Sequence, residues 1–121
     1  MADPVAERIR RRDALLAAAR DYVDRLSRRA PVVAAAVVGS VARGDFNVWS
    51  DVDVVVVADD LPDRIPDRGL VLAADARMGV QAVGFTPREF ERAHRRGDPL
   101  AREATTSGVV LRGEGYLRRF H

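Results

Sequence analysis

The sequence contains no cysteine and no lysine, and it has few aromatic residues. The absence of cysteine excludes a disulfide framework, a thiolate nucleophile and a cysteine-based zinc site. All 20 basic residues are arginines, and 18 acidic residues reduce the net charge to +2. Charges of both signs are interspersed, and aromatic residues that could stack on bases make up only 6% of the chain. We therefore interpret the arginine clusters as solvated helix faces, and nucleic acid is not the expected partner.

Long apolar runs are also missing. The longest uncharged apolar run, from Ala30 to Gly39, is about half the length that a membrane span requires. No segment with a charged start and an apolar continuation opens the chain, as a secretion signal would. We expect a cytoplasmic protein in which residues 1–121 form a single domain.

Apolar periodicity and turn residues predict an α/β order of elements. In chain order they predict a helix over 4–29, strands over 31–38 and 51–57, a loop over 59–67, a strand over 79–85, a helix over 87–96 and a last short helix over 99–106. Residues 69–78 are ambiguous between strand and helix, and residues 109–111 form an edge strand or a packed tail. Thr86, Pro87 and Glu89 form a capping box, which makes the start of the second long helix the clearest boundary.

Two acidic residues open the second predicted strand. Because side chains alternate along a strand, Asp51 and Asp53 are expected on one face, with Val52 pointing the other way. Two neighbouring carboxylates repel each other unless they share a cation or one is protonated, and Mg²⁺ prefers such oxygen ligands. The alternative is structural: Asp51 caps a turn while Asp53 pairs with an arginine.

The first predicted strand ends in Gly39 and Ser40. Residues Ser40 to Arg43 suit a short helical turn closed by Gly44, whose backbone N–H groups and Ser40 hydroxyl would form a cradle for an anion. Taken alone, the Gly-Ser pair is more typical of an ordinary exit from a strand into a turn. Arg43 has two candidate partners, a bound phosphate and Asp45.

Ten residues, Val41 to Ser50, separate the Gly-Ser pair from Asp51-Val52-Asp53. This connection brings the anion cradle and the carboxylates to the same end of two neighbouring strands. The stretches from Val38 to Asp45 and from Trp49 to Val54 resemble the motif of minimal nucleotidyltransferases of the DNA polymerase β-like superfamily. Less specific matches, which include Glu103, extend the resemblance over most of the chain after Pro31.

The resemblance implies an α/β (α+β) nucleotidyltransferase fold, a mixed β-sheet flanked by helices. It also implies transfer of a nucleoside monophosphate from Mg²⁺-bound ATP, or another nucleoside triphosphate, to a hydroxyl group, with release of pyrophosphate. The implied residues are Asp51 and Asp53 for Mg²⁺ and catalysis, and Gly39, Ser40, Arg43 and Ser50 for the nucleotide. Phe46 and Trp49 would either stack on the base or cover the turn.

The chain departs from the family pattern at one position. The family usually has a third carboxylate on the next core strand, where it helps to deprotonate the attacking hydroxyl, and Gln81 occupies that place here. An amide does not accept a proton at neutral pH, so assistance by a general base would be lost. Asp75 is a possible substitute.

Three functions remain open at this stage. The spacing resembles that of the antitoxin half of HEPN/MNT toxin–antitoxin pairs, which implies adenylylation of a HEPN-domain ribonuclease. We expect such a partner to contact the N-terminal helix together with the helix over 87–96. A catalytically weak binding antitoxin, favoured by Gln81, is the second candidate. An aminoglycoside-type transferase is the third, and it is disfavoured because we expect no room for a second substrate-binding domain.

Overall fold

A computed structural model describes residues 3–47, 50–77 and 79–120. The elements in chain order are α1 (Pro4–Ser27), β1 (Val32–Val38), α2 (Gly39–Arg43), β2 (Val52–Ala58), α3 (Ile65–Ala73), β3 (Val80–Phe85), α4 (Pro87–Arg95), α5 (Pro99–Thr105), β4 (Val109–Arg112) and α6 (Glu114–Arg118). This mixture of helices and strands confirms the predicted fold class.

The strands form one mixed four-stranded sheet in the order β3-β2-β1-β4. β1 pairs antiparallel with β2 and with β4, whereas β2 pairs parallel with β3. The two predicted core strands are therefore neighbours, as expected. The register places Asp53 of β2 beside Val38 of β1 on one side and beside Gln81 of β3 on the other.

Helices cover both faces of the sheet, which explains why β1 and β2 are nearly continuous apolar runs. α1 and α3 pack on one face, around Tyr22, Leu26 and Leu72. α4, α5 and α6 pack on the other face, around Phe90 and Leu117. α1 and α4 lie on opposite faces, so a partner that contacts both helices, as expected, would have to reach around an edge of the sheet.

The helix starts follow the predicted capping signals. The Asp3 carboxylate accepts a hydrogen bond from the Val5 N–H at the start of α1. The capping box of α4 is complete, since Thr86 and Glu89 each accept a hydrogen bond from the other's backbone N–H. In the described parts of the chain, no helix is long and apolar enough to cross a membrane.

Two predicted boundaries are wrong. The loop predicted over 59–67 ends early, because α3 begins at Ile65 and Pro66 occupies its first turn, where a proline is tolerated. The segment that was ambiguous from residue 69 continues this helix to Ala73. The helix over 99–105 is not the last one, because α6 follows the edge strand β4.

A buried arginine ties α3 to the rest of the fold. Arg68 is 6% exposed, and its guanidinium donates to the carbonyls of Pro62 and Gly84 and to the Glu89 carboxylate. Although burial opposes the shift, the backbone N–H of Thr86 and the Arg68 guanidinium lower the pKa of Glu89. The buried charge is therefore satisfied by partners from three segments.

Replacing Arg68 with methionine, which keeps the apolar stem, should lower the free energy of unfolding by about 2 kcal/mol, because a charged donor is lost from two backbone carbonyls and Glu89. Urea unfolding measures the change. Arg64→Met is the control, since the Arg64 side chain is 83% exposed and its nearest carboxylate oxygen lies 3.9 Å away. Equal effects of the two substitutions would contradict the structural role of Arg68.

Candidate functional site

The end of β1 turns sharply into α2 at Gly39. Gly39 has a φ of +74°, a left-handed conformation that suits glycine. A Cβ atom at this position would lie 2.9 Å from Oδ2 of Asp53, closer than a real Cβ normally comes. Glycine is therefore required here both by the backbone angle and by the approach of the Asp53 carboxylate. Gly44, with a φ of +84°, ends α2 as predicted.

Arginines of α1 hold the α2 turn in place. Arg12 donates to the carbonyls of Val41 and Ala42, and Arg8 donates to the carbonyl of Gly44 at 2.7 Å. These carbonyls lie at the C-terminal end of α2, where a short helix leaves acceptors that its own backbone does not fully satisfy, although the Val41 carbonyl also accepts the Gly44 N–H at 3.3 Å. The interpretation of the arginine clusters as solvated faces is wrong for the half-buried Arg12, whereas Arg8 is exposed as expected but also joins α1 to the turn.

An aromatic residue covers the turn on the same side. Phe46 is buried, and the Arg8 guanidinium lies over its ring at 4.5 Å. Of the two predicted roles, covering the turn is thus the one that the structure supports for Phe46. Trp49, the other candidate for base stacking, lies outside the described residues.

Asp53 lies in β2, with its side chain beside the Gly39 turn, whereas Asp51 is exposed and immediately precedes the strand. Burial raises the pKa of Asp53, the charges of Asp51 and Glu103 raise it further, and Arg43 opposes the shift. Neither aspartate forms an ion pair among the described residues. The alternative in which Asp53 pairs with an arginine is therefore not what the structure contains.

Gln81 stands at the position expected for the missing third carboxylate. It is opposite Asp53 in the parallel β2–β3 pair, and its Nε2 donates to Oδ2 of Asp51 at 2.9 Å. The amide thus contacts the carboxylate pair directly, but as a donor. The NH₂ group of Gln81, which faces Asp51, is part of a neutral amide and cannot take up a proton.

Asp75 does not replace the missing base. Its carboxylate pairs with Arg29 at 2.7 Å, and its carbonyl accepts a hydrogen bond from Arg25. Both arginines lie near the C-terminal end of α1, whereas the α2 turn contacts the N-terminal end of α1 through Arg8 and Arg12. The Asp75 carboxylate is therefore held in an ion pair with an arginine just after α1.

The two serines of the motif are placed differently. Ser40 lies in the first turn of α2, and its hydroxyl has no hydrogen-bond partner among the described residues. Ser50 closes the turn before β2, since its hydroxyl oxygen accepts a hydrogen bond from the Asn47 N–H at 2.9 Å. Ser40 is therefore open to a ligand, whereas Ser50 shapes the loop that delivers Asp51.

Glu103 is the site residue that the sequence analysis did not single out. It belongs to α5, yet its Oε1 accepts hydrogen bonds from the Gly39 N–H at 3.3 Å and from Nη1 of Arg43 at 2.9 Å. Arg43 also pairs with Asp45 at 3.3 Å, so the predicted alternative partner is present. The only sequence signal for Glu103 was its place in a weakly matching stretch.

The donor set suits a hard divalent cation. Among the described residues, Asp51 and Asp53 offer carboxylate oxygens without a balancing ion pair, and burial of Asp53 together with the charge of Asp51 raises the pKa of Asp53. In the described residues, no group of three or more His, Cys, Asp or Glu side chains forms a complete metal site. Mg²⁺ fits a pair of this kind, because it is usually held by one or two carboxylates together with substrate phosphates and water.

Comparison with known proteins identifies the family of the chain. The nucleotidyltransferase domain family matches residues 19–100, about two thirds of the chain. The chain belongs to this family. The matched range contains Gly39, Asp51, Asp53 and Gln81, whereas Glu103 lies beyond it.

A solved structure resembles this nucleotidyltransferase domain over most of its length. It is that of a protein from Sulfolobus solfataricus described as a "putative nucleotidyltransferase", with 20% sequence identity and a TM-score of 0.66, covering 85% of this chain and 84% of the other. At this identity the likeness shows the fold alone. No curated protein matches the chain.

Gly39→Ala should displace the Asp53 carboxylate and weaken binding of Mg²⁺-ATP at least tenfold (about 1.4 kcal/mol), because the added Cβ occupies the space of Oδ2. Gly44→Ala is a matched control, since its φ is also positive but no atom lies within 4 Å of its added Cβ. Both variants should lose about 1 to 2 kcal/mol of stability through backbone strain. Calorimetric titration of Mg²⁺-ATP into equal concentrations of folded protein should show weaker binding by Gly39→Ala than by Gly44→Ala. Equal affinities would refute the steric argument.

Proposed function

We propose that this nucleotidyltransferase domain binds Mg²⁺-ATP and transfers AMP to a hydroxyl group of a partner protein. The main support for the proposal is a pair of neighbouring carboxylates beside the Gly39 turn, Asp51 and Asp53. Neither forms an ion pair with another described residue. A cation offsets the repulsion within this pair, and the phosphates of a nucleotide offset the charge of the cation.

Each residue of the site has a distinct task in this proposal. Asp51 and Asp53 hold Mg²⁺, which when bound neutralises phosphate charge and polarises the phosphorus centre. Gly39 lets the backbone come close to the phosphates, and Ser40 donates its hydroxyl. Arg43, about half exposed at the rim of the turn, supplies positive charge for the outer phosphates.

The acceptor hydroxyl would reach the site from the β3 side. β3 is an edge strand of the sheet, and both Gln81 and Asp51 are exposed there. Without a carboxylate at position 81, proton removal from the acceptor depends on water or on Asp51 itself. We therefore expect slow transfer, since general-base assistance is typically worth about a hundredfold or more.

A HEPN-domain protein encoded next to this chain is the proposed acceptor. The support is the Gly-Ser-x10-Asp-x-Asp spacing, which resembles that of MNT antitoxins, together with the exposure of Asp51 to a second molecule. A tyrosine of such a partner carries the hydroxyl group that this chemistry needs. The partner would dock from one face or edge of the sheet, because α1 and α4 lie on opposite faces.

A second candidate function rests on Gln81. Its amide donates to Asp51, which occupies one carboxylate oxygen and leaves no base at the expected position. The domain would then bind nucleotide but restrain its partner by contact alone, as a weakly active antitoxin or scaffold. Transfer to a small-molecule hydroxyl, as in aminoglycoside nucleotidyltransferases, uses the same site and is distinguished by the acceptor alone.

Changing both Asp51 and Asp53 to asparagine should abolish Mg²⁺-dependent ATP binding, because the amides retain the shape of the side chains but lose their charge. Isothermal titration with and without Mg²⁺ measures the effect. The matched control is Asp59→Asn with Asp60→Asn, which alters two exposed aspartates just beyond the opposite end of β2. If the Asp51/Asp53 variant binds Mg²⁺-ATP as tightly as the control does, the proposed site is wrong.

Gln81→Glu should accelerate AMP transfer to the copurified partner about tenfold or more, because it places a carboxylate where the acceptor proton leaves. Single-turnover assays at saturating Mg²⁺-ATP isolate this chemical step from binding. Gln81→Ala is the control, since it also removes the hydrogen bond to Asp51 but adds no base. A Glu variant no faster than the Ala variant would show that position 81 does not limit the reaction.

A further inference from the structure

Glu103 accepts hydrogen bonds from the two groups that would donate to a phosphate in the proposed function. Its Oε1 accepts both the Gly39 N–H, at 3.3 Å, and Nη1 of Arg43, at 2.9 Å. One carboxylate oxygen thus bridges the backbone and the side chain of the turn, as an oxygen of a phosphate would. The anion that contacts the donors of this turn is thus a side chain of the protein itself.

The backbone of α5 holds Glu103 firmly in this place. Asp98 caps the helix, and Ala101 and Ala104 are buried against the sheet. The end of α5 approaches β1 so closely that a Cβ atom at Gly108 would lie 2.9 Å from the Glu103 carbonyl and 3.0 Å from the Val37 carbonyl. The Glu103 side chain is 25% exposed, so it has room to leave the turn although its backbone does not.

The charge of Glu103 also acts on the carboxylate pair. Glu103 and Asp53 both lie against Gly39, because Oε1 of Glu103 accepts the Gly39 N–H at 3.3 Å and a Cβ atom at Gly39 would lie 2.9 Å from Oδ2 of Asp53. Burial, then the charge of Asp51 and then that of Glu103 raise the pKa of Asp53. An incoming polyphosphate would meet this negative charge in addition to those of Asp45, Asp51 and Asp53. The charge of Arg43 acts against these effects and lowers the pKa of Asp53.

We propose that Glu103 is an internal competitor for the phosphate-binding turn, and that a bound polyphosphate takes its place on Gly39 and Arg43. This inference rests on the proposed function, because it assumes that phosphates bind at Gly39. The Glu103 side chain withdraws into solvent when the ligand arrives, while Arg43 keeps its contact with Asp45. The intact ion pair keeps the turn in shape between binding events and lowers the affinity for nucleotide.

A purely structural role for Glu103 leads to the opposite expectation. If Glu103 only braced the turn, its loss would disorder Gly39 and Arg43 and weaken binding. If it competes with phosphate, its loss frees two donors and removes a repulsive charge, so binding becomes tighter. The direction of the affinity change therefore separates the two roles.

Glu103→Gln is the test variant, because the amide keeps the shape and an acceptor oxygen but removes the charge. We expect its affinity for Mg²⁺-ATP, and for inorganic triphosphate without metal, to rise about fivefold, the upper range for an exposed ion pair. Calorimetry at low and moderate salt gives both affinities. Glu103→Ala should change both in the same direction, and it serves as the second variant if the glutamine variant is poorly folded.

Glu114→Gln is the matched control, since it removes an exposed glutamate that pairs with Arg118 at 2.8 Å in α6. Its affinities should equal those of the unaltered chain. Unchanged or weaker binding by both Glu103 variants would overturn the competitor role, even where the unaltered chain binds Mg²⁺-ATP through Asp51 and Asp53. Tighter triphosphate binding by the Glu103 variants, with no effect of Asp51→Asn and Asp53→Asn, would instead uphold the competitor and reject the metal site.

Discussion

The site depends on how closely the backbone at the end of β1 approaches the Asp53 carboxylate. Antiparallel pairing sets Val38 beside Asp53, and the next residue, Gly39, turns away with a positive φ and no Cβ. Any side chain at position 39 would occupy the space of Oδ2. The strand register, the turn and the carboxylate are therefore one unit, and a shift of one residue in register would place Asp53 on the opposite face.

The fold keeps an unfavourable arrangement of charge at this unit. Asp51 and Asp53 lack ion-pair partners in the described chain, and burial raises the pKa of Asp53. This arrangement costs free energy of folding, which is offset by the packing of separate helical layers on both faces of the central strands. Arg8 and Arg12, which hold the carbonyls of the turn from α1, fix its shape without placing their charges beside the carboxylates.

Local signals predicted much of this structure, and distant contacts account for what they missed. The valine-rich runs and the capping box at Thr86 gave the strands and α4 to within about two residues, because these signals lie within a few residues of the boundary. Two prolines made the start of α3 read as a loop. Glu103 and its partner Gly39 are 64 residues apart in sequence, and no periodicity connects them. The roles of Asp51 and Asp53 came from their pairing on one strand face and from the resemblance to nucleotidyltransferases, and they remain predictions.

In the proposed function, the two sides of Asp53 would separate nucleotide binding from transfer. On the β1 side, the α2 turn and α5 enclose Gly39, and Glu103 contacts the proposed phosphate donors. On the β3 side, the sheet ends and Gln81 faces Asp51 in the open. Glu103 and Gln81 share no partner, so substitutions at the two positions should combine nearly additively. A change at Glu103 should alter nucleotide affinity, whereas a change at Gln81 should alter the chemical step. Glu103 would then set the nucleotide affinity of the site and Gln81 the rate of transfer, from opposite sides of the Asp53 carboxylate.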